Sequence, residues 1–159
     1  MKELDSYLND HLAGSVGALE LIAHWRNVHK DKSLGAFFTD LEADISADQG
    51  RLRDLMRSLG VEESKVRQAG AWAAEKIGFA RFVIAGDEPG GLGLVLALEG
   101  LIMGITGKQL LWRALGAVNL PKTEGFDFKE LQRRAERQIE RTESERIRAA
   151  RGAFSDRVS

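Results

Sequence analysis

The sequence predicts an all-α fold: a four-helix bundle with a fifth, crossover helix between the second and third bundle helices. Apolar residues recur at intervals of three and four along most of the chain, which is the spacing of one helix face. Proline, which breaks helices, occurs only twice in 159 residues. No segment shows the alternation of apolar and polar residues that is typical of a strand. The length suits one domain, which we place at residues 1–159.

Five helices follow from these patterns. The second is the clearest, because Leu41, Ile45 and Leu52 keep a helical spacing while charges fill the other face. Gly60 is placed to end it as a left-handed residue. The short polar connection at 29–32 requires the first two helices to run antiparallel. The predicted helices cover about residues 5–28, 33–59, 64–85, 91–115 and 127–154.

The third predicted helix is the shortest, and its inward face is rich in small residues such as Gly70 and Ala73. The run 86–91, which holds three glycines and a proline, ends it. We interpret this helix as a crossover that returns along the bundle, so that the second and fourth predicted helices are parallel. A plain up-and-down array of five helices is the alternative.

The fourth predicted helix is apolar nearly all round and approaches the length of a membrane span. A membrane span would leave four amphipathic helices without their partner and would place Glu99 in lipid, so we predict a buried central helix and no membrane. Its all-round apolar character also predicts a homodimer, with one face covered by a second subunit. A helix of the second subunit could approach closely at three glycines, Gly100, Gly104 and Gly107. The same glycines could instead accommodate a neighbouring helix of the same chain.

The last predicted helix begins with a strong local signal. Asp127 and Glu130 form a variant of the capping box, and Phe126 and Leu131 occupy the positions of a hydrophobic staple. Its arginines alternate with glutamates, and pairs such as Glu130–Arg134 and Arg141–Glu145 stand at contact spacing. The 23 basic and 24 acidic residues of the chain also balance, so we expect no nucleic-acid partner.

One carboxylate interrupts the predicted core. Asp48 lies on the apolar stripe of the second helix, where it should not be left unpaired. Counting heights along the helices brings it level with His11 and near Gln138, and both of those residues also face inward. Glu99 stands on an otherwise apolar surface of the fourth predicted helix. Converging carboxylates and imidazole could hold a metal ion. A buried network, such as Asp48 with His11 or Glu99 with either Arg113 or Arg146, is the alternative.

This order of two hairpins, one crossover and glutamate-bearing helices resembles the ferritin-like superfamily, and especially its small bacterial members of unassigned function. The resemblance places Glu20 and Glu99 where the family carries single carboxylate ligands. It places Asp48 and Gln138 near the ligands of the second and fourth bundle helices. It implies a di-iron centre with oxidase, storage or stress-protective roles. The family's Glu-x-x-His motifs are absent from the corresponding helices, so we expect no metal or other cofactor, with iron or manganese as the alternative.

Composition and motifs exclude several classes of function. The chain has no cysteine, which removes disulfides, thiolate metal sites and cysteine nucleophiles. It has no phosphate-binding GxxxxGK[ST] motif, and its three histidines, His11, His24 and His29, lie on or beside the first helix with no nucleophile elbow in the sequence. We expect His24 and His29 to be solvated. The acidic start, MKELDSYLND, lacks a secretory apolar run, so we expect a cytoplasmic protein.

Three functions remain open from the sequence. The preferred one is a non-catalytic structural or protein-interaction module. The second is a ferritin-like metal binder or oxidase with an atypical site around His11, Asp48, Glu99 and Gln138. The third is a bundle that binds an apolar ligand along the fourth predicted helix.

Overall fold

The structure is a computed structural model that describes residues 2–63 and 91–155. These residues form four long helices and, within the described ranges, no strand. The helices are α1 Lys2–Val28, α2 Ser33–Leu59, α3 Leu92–Gly116 and α4 Phe128–Phe154. The all-α prediction is confirmed, and α3 and α4 correspond to the fourth and fifth predicted helices. The predicted crossover helix at 64–85 lies outside the described residues.

The chain folds into two antiparallel hairpins. The first pairs α1 with α2, as shown by the contact of Arg26 with Glu42 near the turn. The second pairs α3 with α4, with Arg146 bound to Glu99. The turn of the first hairpin requires a glycine, because a Cβ on Gly35 would lie 2.3 Å from the carbonyl oxygen of His29.

The two hairpins meet with α2 antiparallel to α4. Arg141 contacts Asp44, and Arg51 of α2 donates to the carbonyl of Gly125 over 3.0 Å at the other end of the interface. Since α4 also runs antiparallel to α3, α2 and α3 are parallel, as the sequence predicts. The described chain therefore leaves α2 at one end of the bundle and resumes in α3 at the other.

Two helix ends follow their sequence signals. Gly60 takes a left-handed backbone with φ 73°, and the N–H of Val61 reaches back to the carbonyl of Met56 over 2.8 Å, which closes α2 with a Schellman motif. The carboxylate of Asp127 accepts from the backbone N–H of Glu130 over 2.9 Å and caps α4. The side chain of Glu130 turns outward to Arg133 and Arg137, so its half of the predicted capping box is replaced by ion pairs.

The core consists of two apolar clusters, one toward each end of the bundle. The first holds Trp25 and Phe38 and the second holds Leu12 and Trp112. Along α2 the first cluster ends at Ile45 and the second begins at Leu52. A short stretch in the middle of the bundle therefore separates them.

Helix α3 is buried on one side and exposed on another. Among its buried side chains, Leu98 and Leu101 belong to the first core cluster and Leu111 belongs to the second. Four apolar side chains on its outer face, which we call the α3 stripe, are exposed by 39–72 %: Leu92, Leu96, Met103 and Leu110. The prediction of a buried central helix therefore holds, within the single chain, for one face of α3. By length and composition α3 could also cross a membrane, a test that core helices of soluble proteins pass as well.

Candidate functional site

Asp48 lies in the gap between the two apolar clusters, and its side chain is only 2 % exposed. Transfer of an unpaired carboxylate to such a position costs several kcal/mol, on the order of the penalty for any buried ion. The sequence places it there because positions 45, 48 and 52 share one helix face. Its burial is as predicted, and its partners decide what the site can do.

Three side chains from the other hairpin surround the carboxylate. The ammonium of Lys108 donates to Oδ2 over 2.5 Å, and the amide of Gln138 donates to the same oxygen over 2.8 Å. The guanidinium of Arg134 lies 2.9 Å from Oδ1 as an ion pair, although its direction is off that of a hydrogen bond. We call these four residues, Asp48, Lys108, Arg134 and Gln138, the buried polar cluster.

Lys108 is the central residue of the buried polar cluster. Its ammonium also donates to Oε1 of Gln138 over 2.5 Å, so the amide both donates to Asp48 and accepts from Lys108. Burial lowers the pKa of Lys108, and the adjacent Asp48 carboxylate opposes that shift. The side chain is 15 % exposed, with a long methylene stem inside the bundle and a charge that stays paired.

A cleft of about 560 Å³ lies beside the buried polar cluster, between α1, α2 and α3. Asp48 and Lys108 form part of its wall, together with His11, Ser15 and Gln49. We call it the α1–α3 cleft. Burial lowers the pKa of His11, and the nearby Asp10 opposes that shift, so its imidazole is neutral at neutral pH. Tyr7 holds the imidazole in an edge-to-face contact with 4.7 Å between ring centres.

The structure brings only some of the candidate ligands together. Asp48 and Gln138 are in direct contact, and His11 lines the same cleft as Asp48. Glu99 is bound instead by Arg146 over 3.2 Å, as one of the sequence alternatives has it. It lies nine positions before Lys108, which is about 13.5 Å along the helix axis. Glu20 lies on an exposed face of α1.

The chemistry of the cluster is that of an ion-pair network. Within residues 2–63 and 91–155, no group of three or more histidine, aspartate or glutamate side chains is placed to hold a metal ion. The two oxygens of Asp48 face an ammonium and a guanidinium, which occupy the positions where a cation would bind. Such pairing compensates the charge of the carboxylate and gives Oδ2 two hydrogen bonds without a ligand, while Oδ1 has only its ion pair with Arg134.

Sequence reasoning missed the two cations that pair with Asp48. The helical spacing pairs Arg134 with Glu130 and gives Lys108 no partner. In the structure Glu130 binds Arg133 and Arg137, which frees Arg134 for Asp48. The counted heights also place Thr106 of α3 near Asp48. Lys108 stands two positions from Thr106, and this height is the signal that the sequence offers for it.

Two further pairings differ from the sequence expectation. Arg141 contacts Asp44 of α2, and Glu145 binds Arg148, so the predicted Arg141–Glu145 pair is wrong. His29 is 4 % exposed and stacks on Trp25 with 5.7 Å between ring centres, so it is buried rather than solvated. His24 is exposed, as predicted.

Comparison of this chain with protein-family models, curated proteins and solved structures finds no match. The geometry of the cluster, the cleft and the α3 stripe is therefore the basis for the functional assignment.

Removal of the Asp48 carboxylate is expected to destabilise the fold strongly. The variant Asp48→Ala leaves a buried ammonium uncompensated, which lowers the free energy of unfolding by about 3 kcal/mol. The double variant Asp48→Leu/Lys108→Met replaces the pair with apolar side chains and should recover most of that loss. Urea titration followed by circular dichroism measures both values.

The matched control is Asp44→Ala, one turn earlier on α2. Its ion pair with Arg141 is exposed by 38 and 46 % on the two sides, so its loss should cost less than about 1 kcal/mol. Equal losses for Asp44→Ala and Asp48→Ala would contradict the assigned role of the cluster.

The lowered pKa of His11 predicts a loss of stability in mild acid. As pH falls below 6.5, the unfolded chain takes up a proton at this histidine before the folded chain does. The free energy of unfolding therefore decreases between pH 6.5 and the lower pKa of the folded state. In His11→Gln this decrease should be smaller, as measured by urea titration at pH 7 and pH 5.

Two other variants complete the experiment. Burial also lowers the pKa of His29, so His29→Gln should reduce the acid loss in the same direction. Asn27→Ala, an exposed position of α1 that does not titrate, is the control and should retain the wild-type slope. A His11→Gln slope identical to that of the wild type would show that the imidazole titrates alike in both states.

Proposed function

We propose that this chain is a non-catalytic, ferritin-like helical bundle that acts as a structural or protein-interaction module and forms a homodimer. The observation that carries the proposal is the α3 stripe, a row of exposed apolar side chains on a helix whose other face is buried. The row extends from Leu92 to Leu110, which is about 27 Å of helix at 1.5 Å per residue. Contiguous apolar surface of this kind is typical of an interaction site.

A second copy of the chain is the partner that best fits this surface. The four side chains of the α3 stripe are uncharged, and Glu99, which stands between Leu96 and Met103 on the same face, is paired with Arg146 of its own chain. Adjacent to the stripe, Gly100 has free space where a Cβ would stand, which would allow a second helix to approach closely. Two copies of one helix can pack across a two-fold axis, where each stripe covers the other.

The buried polar cluster supports the non-catalytic part of the proposal. A di-iron centre needs several carboxylates aimed at one point, whereas Asp48 is neutralised by Lys108 and Arg134. The remaining carboxylates of the ligand hypothesis stand elsewhere, with Glu99 on Arg146. We assign the cluster a structural role, which is to fix how the two hairpins dock.

The dimer is tested by placing a charge on the α3 stripe. Leu110→Lys should raise the dimer dissociation constant about 100-fold or more, because the substitution enters a two-fold interface twice and each leucine contributes about 1.5–3 kcal/mol. Light scattering coupled to gel filtration at micromolar concentration gives the mass of each variant. Phe154→Lys is the control, since Phe154 at the end of α4 is equally exposed, at 50 against 51 %. A monomeric wild type would overturn the homodimer.

The metal-binding alternative is tested by elemental analysis. Protein purified from cells grown with added iron or manganese should contain far less than one metal ion per chain. The reason is that Lys108 and Arg134 already pair with the carboxylate of Asp48. Two results together would overturn the structural assignment. The wild type would contain nearly one metal ion per chain, and a folded Asp48→Ala or Glu99→Ala variant would contain none. The exposed loop variant Glu124→Ala should behave like the wild type in either case.

A further inference from the structure

Helix α1 is buried along two rows of residues, whereas α4 is buried along one. The buried residues of α4 share one face and are Leu131, Ala135, Gln138 and Thr142. On α1 one buried row points into the bundle, and a second recurs at every fourth position: Asn9, Ala13 and Gly17. We call this second row the outer row. Ala13 is 0 % exposed although it belongs to neither apolar cluster of the described residues, so another part of the chain must cover it.

The outer row is turned away from the helices that pack against α1. Among the described helices, those are α2 and α3. Ser15 accepts a hydrogen bond from Gln49 of α2 over 2.8 Å, and His11 lines the cleft that α1 shares with α3. With 3.6 residues per turn, Ala13 lies about 160° around the helix from both Ser15 and His11. Neither α2 nor α3 therefore accounts for the burial of Ala13.

The chain reaches the outer row directly after α2 ends. The side-chain amide of Asn9, the first residue of the row, donates to the carbonyl of Glu62 over 3.2 Å. The described chain resumes at Gly91, at the far end of the bundle, where α3 begins. Residues 64–90 therefore have to travel the length of the bundle, which is about 40 Å for the 27 residues of α2. A helix of the same number of residues would cover that distance.

Of the two routes that the described helices offer, only one is covered. Both α1 and α4 lie beside α2 and α3, so the chain could return along either of them. The outward side of α4 is exposed and charged, with Arg133, Arg137 and Arg148 among its residues. The α3 stripe is exposed by 39–72 % in the same chain, so it is not the covered surface either. Burial of the outer row therefore marks the route along α1.

The sequence of the returning segment complements the outer row. Residues at i and i+4 on a helix form a row, and small side chains there leave a groove for a ridge of a second helix. Ala13 and Gly17 supply such a groove on α1. The predicted helix 64–85 has one face of similarly small residues at helical spacing, which include Gly70, Ala73 and Ala80. Two such faces can approach each other closely.

We propose that residues 64–90 dock along the outer row of α1 and run parallel to that helix, which makes α1 an inner helix of the bundle. The docking surface begins at Asn9 and continues through Ala13 and Gly17. It is separate from the α3 stripe, and the proposal does not depend on the homodimer.

Disulfide formation between introduced cysteines tests this docking in the full chain. The sequence has no cysteine, and a disulfide forms only where two Cα atoms lie within about 7 Å. The variant Ala13→Cys is combined in turn with a cysteine at each position from 64 to 73. At one or more of these positions, mild oxidation should close a disulfide within a single chain, which changes its migration on a non-reducing gel. The controls, Met103→Cys on the α3 stripe and Gly104→Cys in the cleft wall, should close none with the same partners.

The outcomes distinguish the possible occupants of the outer row. The absence of any disulfide with position 13 would overturn the proposal. A disulfide with position 103 or 104 would also overturn it, because it would place the segment on the α3 stripe or in the α1–α3 cleft. Disulfides of position 13 that form only between two chains, at twice the mass, would make a second copy the occupant and would likewise overturn it.

Overpacking of the outer row gives a second test that needs no cysteine. Ala13→Leu adds volume where residues 64–90 are proposed to pack, so it should raise the rate of tryptic cleavage within that segment about tenfold or more. Mass spectrometry assigns the cleavage to the basic residues of the segment, Lys65, Arg67, Lys76 and Arg81. Gly14→Leu is the matched control, since a Cβ there meets nothing within 4 Å, and it should be cleaved like the wild type. Equal cleavage rates for the wild type and Ala13→Leu would contradict the docking.

Discussion

A carboxylate in the middle of a bundle must have its charge compensated, and Asp48 obtains that compensation entirely from the second hairpin. Lys108 and Gln138, its hydrogen-bond partners, are 60 and 90 positions away in the sequence. A shift of α2 by one turn, about 5.4 Å, would strand the carboxylate among apolar side chains. The requirement for pairing therefore fixes the height of α2 relative to both α3 and α4, which apolar contacts alone would define less sharply.

This constraint explains why the two sides of the hairpin interface differ. Between α2 and α4 the hairpins are joined by directional contacts, which include Arg141 with Asp44 and the guanidinium of Arg51 4.5 Å above the ring of Phe126. Between α1 and α3 the two backbones approach each other more closely than those of α2 and α4, and the α1–α3 cleft lies beside that approach. The hairpins are thus held in register by ion pairs along one edge and by close helix packing along the other.

The helix bounds, the burial of Asp48, the end of α2 at Gly60 and the cap at Asp127 depend on local spacing and backbone geometry, and the sequence predicts them well. The partners of Asp48 depend on long side chains that reach well beyond their own Cα position. Arg134 has two possible partners, which are Glu130 at contact spacing in its own helix and the distant Asp48. The need to compensate the buried charge of Asp48 decides between them. The sequence also cannot reveal the cleft, because the glycines that line it are compatible with a closely packed neighbour.

The short turn between α1 and α2, closed on Gly35, has a consequence for how the molecule assembles. Contacts within each hairpin are close in sequence and form early, whereas the contacts of Asp48 span long stretches of chain. We expect Asp48 and Lys108 to leave water when the two hairpins dock, which is a long-range step that follows the closing of the first turn. That step should set the folding barrier, and the line between the hairpins is where native-state hydrogen exchange should first detect partial opening.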